Sequence, residues 1–285
     1  MTVQLLHLSD LHFGGLAALD QIEGLEQMLP GLRPDAVVVT GDLSQRARHG
    51  EFQRARALVQ AAARTAPVLV IPGNHDVAWW TRPLIPFAKQ PLYAKYARYF
   101  GTDLTPTLAL PGALIASALT SHGVAWGSLT LGVRDLAVKG HLPKREVARV
   151  RGLFEAAPRE QARVLVVHHN VLRGDISKRL GLARWRQAQR RIAASGADVV
   201  LCGHDHQEGA DLLGGRVVVS TAGTLCRRTR GGRPSSFNFV TIDATAVHIT
   251  YFRWDAESRR FRASDTTAFA RPGRQAPAQQ VPVPS

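Results

Sequence analysis

The chain has 285 residues, 45% of them hydrophobic and 20% charged, which is typical of one large or two small globular α/β domains. The formal net charge is +14, but arginines spread along the whole chain dominate the basic residues, which favours a generally basic surface over a dedicated polyanion groove. No apolar run of about 18 residues occurs, the N-terminus lacks signal-peptide features and only two cysteines are present, so we expect a cytoplasmic protein that does not contact the membrane.

Short apolar runs alternate with helical patterns in the first quarter of the chain, as in βαβ units. The predicted elements here are strands over residues 3–8, 36–40 and 68–71 and helices over residues 16–29 and 51–63. The segment 79–111 is aromatic and basic and interrupts this alternation, so we expect it to form a cap over a site.

The alternation resumes with strands over residues 163–167 and 198–202, separated by a helix over residues 182–194. After Gly203, consecutive strands over residues 216–220, 237–242 and 247–252 indicate a second, partly antiparallel sheet. We therefore expect an α/β sandwich of two mixed β-sheets flanked by helices, forming a single domain over residues 1–265. The Pro-rich tail, residues 271–285, is predicted to be disordered.

Five short polar clusters share one property, since each follows a predicted strand directly. They are Asp10-Leu11-His12, Gly41-Asp42, Gly73-Asn74-His75-Asp76, His168-His169 and Gly203-His204-Asp205-His206. The carboxyl ends of strands form the crevice where ligands bind in open α/β sheets, so we expect the clusters to converge. Each motif alone is common enough to be structural, but five in order at strand ends are not a coincidence.

The polar inventory of these clusters suits divalent metal ions. Its candidate ligands are Asp10, His12, Asp42, Asn74, His168, His204 and His206. This mixture of imidazole and oxygen donors suits Mn, Fe, Zn, Co or Ni and is too rich in nitrogen for Mg or Ca alone. Seven ligands exceed the need of one ion, so we expect two ions about 3.5–4 Å apart, bridged by one carboxylate and one hydroxide.

The ordered pattern DxH, GD, GNHD, HH and GHxH resembles that of calcineurin-like metallophosphoesterases, and most closely the bacterial class III cyclic nucleotide phosphodiesterases and their relatives. His75 stands where the lipid A precursor pyrophosphatase branch has Arg, which argues against that branch. The residues after Asp42 are Leu43-Ser44-Gln45 and not the GDxVDRG of protein phosphatases, so we do not expect a phosphoprotein substrate.

The resemblance implies a role for each matching residue. Asp10, His12 and His206 would hold the first metal, while Asn74, His168 and His204 would hold the second. Asp42 would bridge the two ions. His75 would sit unligated beside the substrate phosphate and act as the catalytic residue, oriented by Asp76 or a nearby carboxylate. We expect the side chain of His169 to point away from His168, because neighbours in an extended strand face opposite sides, and its alternative role is to support the ligands from behind.

The expected reaction is hydrolysis of a small phosphodiester, cyclic nucleotides among the candidates, by in-line attack of the metal-bridging hydroxide. A phosphomonoesterase or a nucleotide pyrophosphatase on the same metal centre is the alternative. A DNA exonuclease fits the charge, but no nucleic-acid module is evident, so nucleic acid is not a favoured partner. A scaffold protein with a degenerate site is disfavoured, since no ligand of the pattern is missing. The sequence leaves the oligomeric state open.

Substrate contacts are predicted in two places. Arg227, Arg228 and Arg230 lie in a turn that follows Ala222-Gly223-Thr224, and one of these arginines could grip a phosphate bidentately. Tyr93 and Arg98 lie in the expected cap, where they could bind a base or a phosphate. A solvated arginine turn and a helix that packs its aromatics on the core are the structural alternatives.

Overall fold

The computed structural model describes residues 1–77, 92–122 and 139–271 of the chain. The strands in these ranges are β1 Val3–Leu8, β2 Ala36–Val39, β3 Val68–Val70, β4 Thr107–Leu110, β5 Ala113–Ser117, β6 Ala162–His169, β7 Val199–Gly203, β8 Gly209–Leu213, β9 Val217–Thr221, β10 Ser236–Ile242, β11 Ala246–Asp255 and β12 Arg260–Ala270. The helices are α1 Leu19–Leu32, α2 His49–Ala63, α3 Ala94–Phe100, α4 Lys144–Ala156 and α5 Trp185–Ala193.

The strands form two mixed sheets of six strands each. The first sheet has the order β12-β11-β10-β1-β2-β3, in which β1, β2 and β3 are parallel and the pairs from β1 to β12 are antiparallel. The second sheet has the order β4-β5-β6-β7-β9-β8, with a parallel centre and an antiparallel strand at each edge. The expected sandwich of two mixed sheets is confirmed.

Alternate residues along each strand face opposite sides of the sheet, and both sides are covered by an apolar core. In β1, Leu5 belongs to the apolar core between the sheets, whereas Leu6 belongs to the core shared with α1 and α2. In β6, Val164 faces the inter-sheet core and Leu165 faces the core that includes α4 and α5 residues. The strands therefore read as continuous apolar runs, which is typical of strands buried on both faces.

The strands expected from the sequence are all present, with ends that match the expectation or shift by at most three residues. The late strands, however, do not form a sheet of their own, which corrects the expectation for residues 216–252. Strand β9 pairs with β7 in the second sheet, whereas β10 pairs with β1 in the first. The connection from β9 to β10, residues 222–235, therefore passes from one sheet to the other and carries the arginine turn with it.

The expected cap divides into a part outside the described residues, 79–91, and a described part that packs on the body of the protein. In helix α3, Tyr96 is 1% exposed and its ring lies 5.1 Å from that of Phe100, while its hydroxyl donates a hydrogen bond to the carbonyl of Val70. Strand β4 is an edge strand of the second sheet. In the range 92–111, packing therefore dominates, as the structural alternative expected.

The C-terminal boundary differs from the expectation. Strand β12 continues to Ala270, past the boundary expected at residue 265. Arg271, the first residue of the expected tail, pairs with Asp198 at 3.0 Å and donates to the carbonyl of Asp243. The remainder of that tail, residues 272–285, lies outside the described residues. Within the described ranges, no helix has the length and apolarity needed to cross a membrane.

We expect Tyr96→Ala to lower the free energy of unfolding by about 3–5 kcal/mol, because it removes a buried aromatic ring from the core under α3. Arg98→Ala, on the exposed side of the same helix, should change that free energy by less than about 0.5 kcal/mol. Urea unfolding measures both values. A raised KM in Arg98→Ala at unchanged stability would instead show that α3 binds substrate.

Candidate metal centre

All five polar clusters lie at carboxyl ends of strands, as predicted. Asp10, Asp42 and Asn74 follow β1, β2 and β3 of the first sheet, and His168 and His204 lie at the ends of β6 and β7 of the second. The two sheets face each other, so their strand ends meet along one edge of the sandwich. The seven proposed ligands are all brought together there, and six of them are less than a tenth exposed; His204 is the only one that is more accessible.

The backbone at this edge is strained in a way that points to function. Five of the seven proposed ligands have left-handed φ values, namely Asp10 (53°), His12 (44°), Asp42 (51°), His204 (73°) and His206 (56°). Each such residue costs about 1–3 kcal/mol and persists only where the surrounding structure imposes it. The sharp turns direct the side chains of consecutive motif residues into a single volume.

A first group of ligand atoms is formed by Asp10, His12, Asp42 and His206, whose donor atoms lie within 4.8 Å of one another. His206 Nε2 is 2.9 Å from His12 Nε2 and 3.3 Å from Asp10 Oδ1. Bonds of about 2.0–2.2 Å to one metal ion place neighbouring ligand atoms about 3–3.5 Å apart. The spacing in this group therefore fits a single ion.

The two oxygens of Asp10 have different environments. Oδ2 accepts hydrogen bonds from Ser9 Oγ at 2.6 Å and from the backbone N–H of His204 at 2.8 Å. Oδ1 is buried and makes no hydrogen bond within the described ranges. A buried carboxylate oxygen without a donor is costly, and a divalent cation would satisfy it. This orphaned oxygen shows that the residues present fit a metal ion.

A second group consists of Asn74, His168 and His204. The Oδ1 atom of Asn74 is 3.0 Å from both His168 Nε2 and His204 Nδ1. These two ring nitrogens lie 3.3 Å apart. The spacing again matches ligands of one ion.

Asp42 contacts both groups. Its Oδ2 atom is 3.7 Å from His12 Nε2 and 3.4 Å from His168 Nε2, while its Oδ1 accepts the backbone N–H of His75 at 2.8 Å. Gly73 makes this approach feasible, because a Cβ there would collide with the carboxylate and the backbone nitrogen of Asp42. The two donor groups therefore adjoin each other and share Asp42 Oδ2.

Backbone carbonyls set the orientation of two candidate ligand rings. His168 Nδ1 lies 2.7 Å from the carbonyl oxygen of Thr40, and His206 Nδ1 lies 2.7 Å from that of Arg228. A carbonyl only accepts, so each Nδ1 carries a hydrogen and each Nε2 is the atom that faces the donor group. Such an outer hydrogen bond is typical of histidines that bind metals.

In the metal-free centre, protonated histidines compensate the charge of the two buried carboxylates. Burial alone would raise the pKa of Asp42, but the charges of His168 and His75 hold the pKa of this carboxyl below its ordinary value. Burial would lower the pKa of His168, but the carboxylate of Asp42 raises it to about 9. Asp10 likewise raises the pKa of His206, against the effect of burial, to about 10. An imidazole that binds a metal ion must first lose its extra proton. A bound metal ion would therefore replace the protons on His168 and His206 as the positive charge that compensates the carboxylates.

His75 lies beside the donor groups, with its ring centroid 4.8 Å from that of His12. Its Nδ1 donates to the carbonyl oxygen of Gln45 at 2.9 Å. The carboxylate of Asp76 does not orient the His75 ring as expected, because both of its oxygens accept hydrogen bonds from the surrounding turns. Oδ1 accepts from the N–H and the hydroxyl of Ser44, and Oδ2 accepts from the N–H groups of Leu43 and Gly73. Asp76 thus ties the turn that carries Asp42 to the turn that carries Asn74.

His169 lies directly behind the second donor group, but its side chain does not point away from the candidate ligands as expected from strand alternation. Its ring centroid lies 4.5 Å from that of His204 and 4.8 Å from that of His168, and its Nδ1 is 2.8 Å from Thr120 Oγ1. The register between β6 and β7 shifts between Val166 and His169, which breaks the strict alternation at the strand end. His169 therefore packs behind the second donor group.

A cleft of about 620 Å³ opens onto the donor groups. Of the predicted substrate contacts, Arg228 and Arg230 line it, whereas Arg227 is exposed elsewhere on the same turn. Neither Tyr93 nor Arg98 is part of its described lining. Tyr93 packs against the apolar core beneath α3, and Arg98 is exposed on that helix. The structure thus brings two of the five predicted contacts to the cleft.

The cleft also contains residues that the sequence interpretation missed. Most of them come from the segment between β6 and α5 and from the first residue of α5: Asn170, Arg173, Lys178, Arg179, Leu180, Gly181, Leu182 and Trp185. Lys139 and Asp205 complete this set. The one available signal was the density of cations directly after His168-His169. Asp205 stands between two ligands in the sequence and could have been singled out for that reason.

Two curated relatives align with parts of the chain. It is 33% identical to the glycerophosphodiester phosphodiesterase GpdQ of Enterobacter lignolyticus (strain SCF1) over 165 residues, which are 49% of this chain and 56% of that protein. It is 40% identical to the cAMP/cGMP dual specificity phosphodiesterase MT0825 of Mycobacterium tuberculosis (strain CDC 1551 / Oshkosh) over 84 residues, which are 25% of this chain and 26% of that protein. The alignments span about half and a quarter of these relatives.

Solved structures share the fold at low sequence identity. Purple acid phosphatase PPD1 from yellow lupin (Lupinus luteus) has a TM-score of 0.65 at 13% identity, covering 95% of this chain and 54% of that one. A dimetal phosphatase from Danio rerio has a TM-score of 0.63 at 12% identity, covering 94% and 98%. The model of the calcineurin-like phosphoesterase family matches residues 3–208, a range that contains every proposed ligand. This chain therefore belongs to the calcineurin-like phosphoesterase family.

Proposed function

We propose that this chain is a binuclear metal-dependent phosphodiesterase that hydrolyses small phosphodiesters, cyclic nucleotides among them. The observation that carries the proposal is the position of Asp42 Oδ2 between two donor groups, each spaced for one ion, with His75 alongside. Both curated relatives are named as phosphodiesterases, which favours a diester over a monoester. The donor set suits Mn, Fe, Zn, Co or Ni.

In this proposal, Asp10, His12 and His206 hold one ion, Asn74, His168 and His204 hold the other, and Asp42 bridges them. The two ions would supply Lewis-acid charge for the phosphate oxygens and a water made acidic enough to attack phosphorus at neutral pH. The protein holds both sites in place through the turns at the strand ends, so little reorganisation is needed during the reaction.

His75 is the proposed proton donor. Its Nδ1–H is committed to the carbonyl of Gln45, so proton exchange with the substrate falls to Nε2. When protonated, Nε2 would donate to a phosphate oxygen and then to the leaving oxygen. Arg228 and Arg230, which line the same cleft, would attract the negatively charged substrate towards the centre.

Asp42→Ala should abolish binding at both metal sites, because it removes the one carboxylate that the two donor groups share. Asn74→Ala is the matched variant, since it removes an oxygen ligand from the second group only and should leave about one ion per chain. Elemental analysis after equilibrium dialysis measures the occupancy. Two retained ions in Asp42→Ala, or equal losses in the two variants, would contradict a bridging role.

The substrate class is tested with bis(p-nitrophenyl) phosphate and p-nitrophenyl phosphate. We expect kcat/KM for the diester to exceed that for the monoester by about tenfold or more, and turnover of both to require added divalent metal. A reversed preference would favour the phosphomonoesterase alternative. Turnover that survives removal of all metal would contradict the proposal as a whole.

His75→Ala should lower kcat for the diester by about 10²–10⁴-fold while metal content stays at the wild-type level, because the variant loses a positioned acid and no ligand. His49→Ala is the control, since His49 is an exposed histidine at the start of α2 and should keep wild-type kcat. Loss of metal in His75→Ala would make His75 a ligand and would overturn the assignments above.

A further inference from the structure

Two loops bring cationic side chains to the cleft beside the metal centre. We name residues 173–179 the basic loop and residues 226–233 the arginine loop. Their cations that line the cleft are Arg173, Lys178, Arg179, Arg228 and Arg230. Within the described ranges, none of the five forms an ion pair with a carboxylate. The five cations outnumber the neighbouring carboxylates of Asp175 and Asp205, so this wall of the cleft carries a net positive charge that favours an anionic ligand.

The basic loop is a closed turn with a fixed conformation. The N–H of Gly174 donates to the carbonyl of Arg179 at 3.1 Å, and the N–H of Lys178 donates to the carbonyl of Gly174 at 2.9 Å. Lys178 has a φ of 55°, a left-handed conformation that a lysine rarely adopts. Backbone strain of this kind persists where the surroundings impose it, and it is concentrated at functional sites.

The basic loop docks on the segment that carries two of the metal ligands. Ser177 Oγ donates to Asp205 Oδ2 at 2.7 Å, and the N–H of Ile176 donates to Gln207 Oε1 at 3.0 Å. Gly174 allows the approach, because a Cβ there would collide with the side chains of Asp205 and Gln207. Asp205 lies between His204 and His206 in the chain, so the loop is fixed relative to the metal centre.

The arginine loop is fixed to the same segment. Arg230 Nε donates to the carbonyl of Asp205 at 3.1 Å, and the carbonyl of Arg228 accepts the Nδ1–H of His206 at 2.7 Å. The two loops also meet each other, since a Cβ at Gly231 would lie 3.0 Å from Ile176. The backbones of both loops are therefore fixed beside the reacting centre, and they present the exposed side chains of Arg173, Lys178, Arg179 and Arg228 to the cleft.

We infer that the basic loop and the arginine loop form a subsite for a second, non-scissile phosphate group of the substrate. The inference rests on the proposed function, because it places the scissile phosphate on the metal centre. The metal ions and His75 compensate the charge of that phosphate, which leaves the loop cations for another anion. Arginine forks bind phosphate oxygens bidentately, so a phosphate is the anion that this set of donors recognises best.

The test compares thymidine 5′-monophosphate with thymidine 3′,5′-bisphosphate, which differ only in the second phosphate. Isothermal titration of the metal-loaded protein should give a Kd about tenfold lower for the bisphosphate, in line with one added charge-assisted interaction. In Lys178→Ala/Arg179→Ala this advantage should vanish, while the Kd for the monophosphate stays within about twofold. Arg54→Ala/Arg56→Ala removes two exposed cations of α2 and is the charge-matched control, which should keep the wild-type preference.

Three outcomes would overturn the inference. The first is equal affinity of the wild-type protein for the two nucleotides. The second is an equal loss in the control variant, which would reduce the effect to net charge. The third is affinity for oligothymidylates that keeps rising with length, which would indicate a track for single-stranded nucleic acid. Turnover of bis(p-nitrophenyl) phosphate is measured in parallel, so a missing second-phosphate preference with intact turnover leaves the proposed function standing.

Ser177 is a positioning residue in this scheme, and its role has a separate readout. Ser177→Ala removes the hydroxyl that holds the basic loop to Asp205, so it should weaken bisphosphate binding without changing monophosphate affinity or metal content. Ser177→Thr keeps the hydroxyl and should restore the preference. If Ser177→Ala lost metal or bound both nucleotides equally weakly, the residue would serve the metal centre and not the subsite.

Discussion

Two buried carboxylates at the edge of the sandwich impose the main constraint on this molecule. Asp10 and Asp42 are 0% and 1% exposed, and the surroundings hold both pKa values below their ordinary range. Buried negative charge is expensive unless it is compensated. Four histidines and an asparagine gather around these two residues, which is the arrangement that divalent ions would complete. The rest of the edge can be understood as the scaffold that keeps this charge in place.

The scaffold works through turns and through hydrogen bonds between them. The carboxyl ends of parallel strands lie along one edge of the sheet. At a regular strand end, however, successive side chains would point to opposite faces of the sheet. Left-handed residues such as Asp42 and His206 turn the chain back, and buried acceptors such as Asp76 join neighbouring turns. Strain in single residues is thus offset by hydrogen bonds shared among several turns.

The sequence was sufficient to locate the donor groups, because the information is local. Each motif begins where an apolar run ends, and the carboxyl-end rule then brings together residues as distant as Asp10 and His206. The sheet assignment of the late strands could not be obtained in this way, since β9 and β10 are both ordinary apolar runs and only their partners differ. The orientation of His169 depends on a register shift between two strands, which has no signature in the sequence itself.

The cationic wall of the cleft could not be predicted from the sequence either. Nothing near Gly174 in the sequence indicates that it must pack against Asp205, yet this contact sets the basic loop beside the centre. The carboxylate of Asp205 accepts a hydrogen bond from Ser177, and its backbone carbonyl accepts one from Arg230. Its chain neighbours His204 and His206 belong to different donor groups. A displacement of this segment would therefore shift ligands and cations together. Asp205, the variable position of the GHxH motif, thus connects the candidate metal ligands of the family pattern to the cationic loops of this chain.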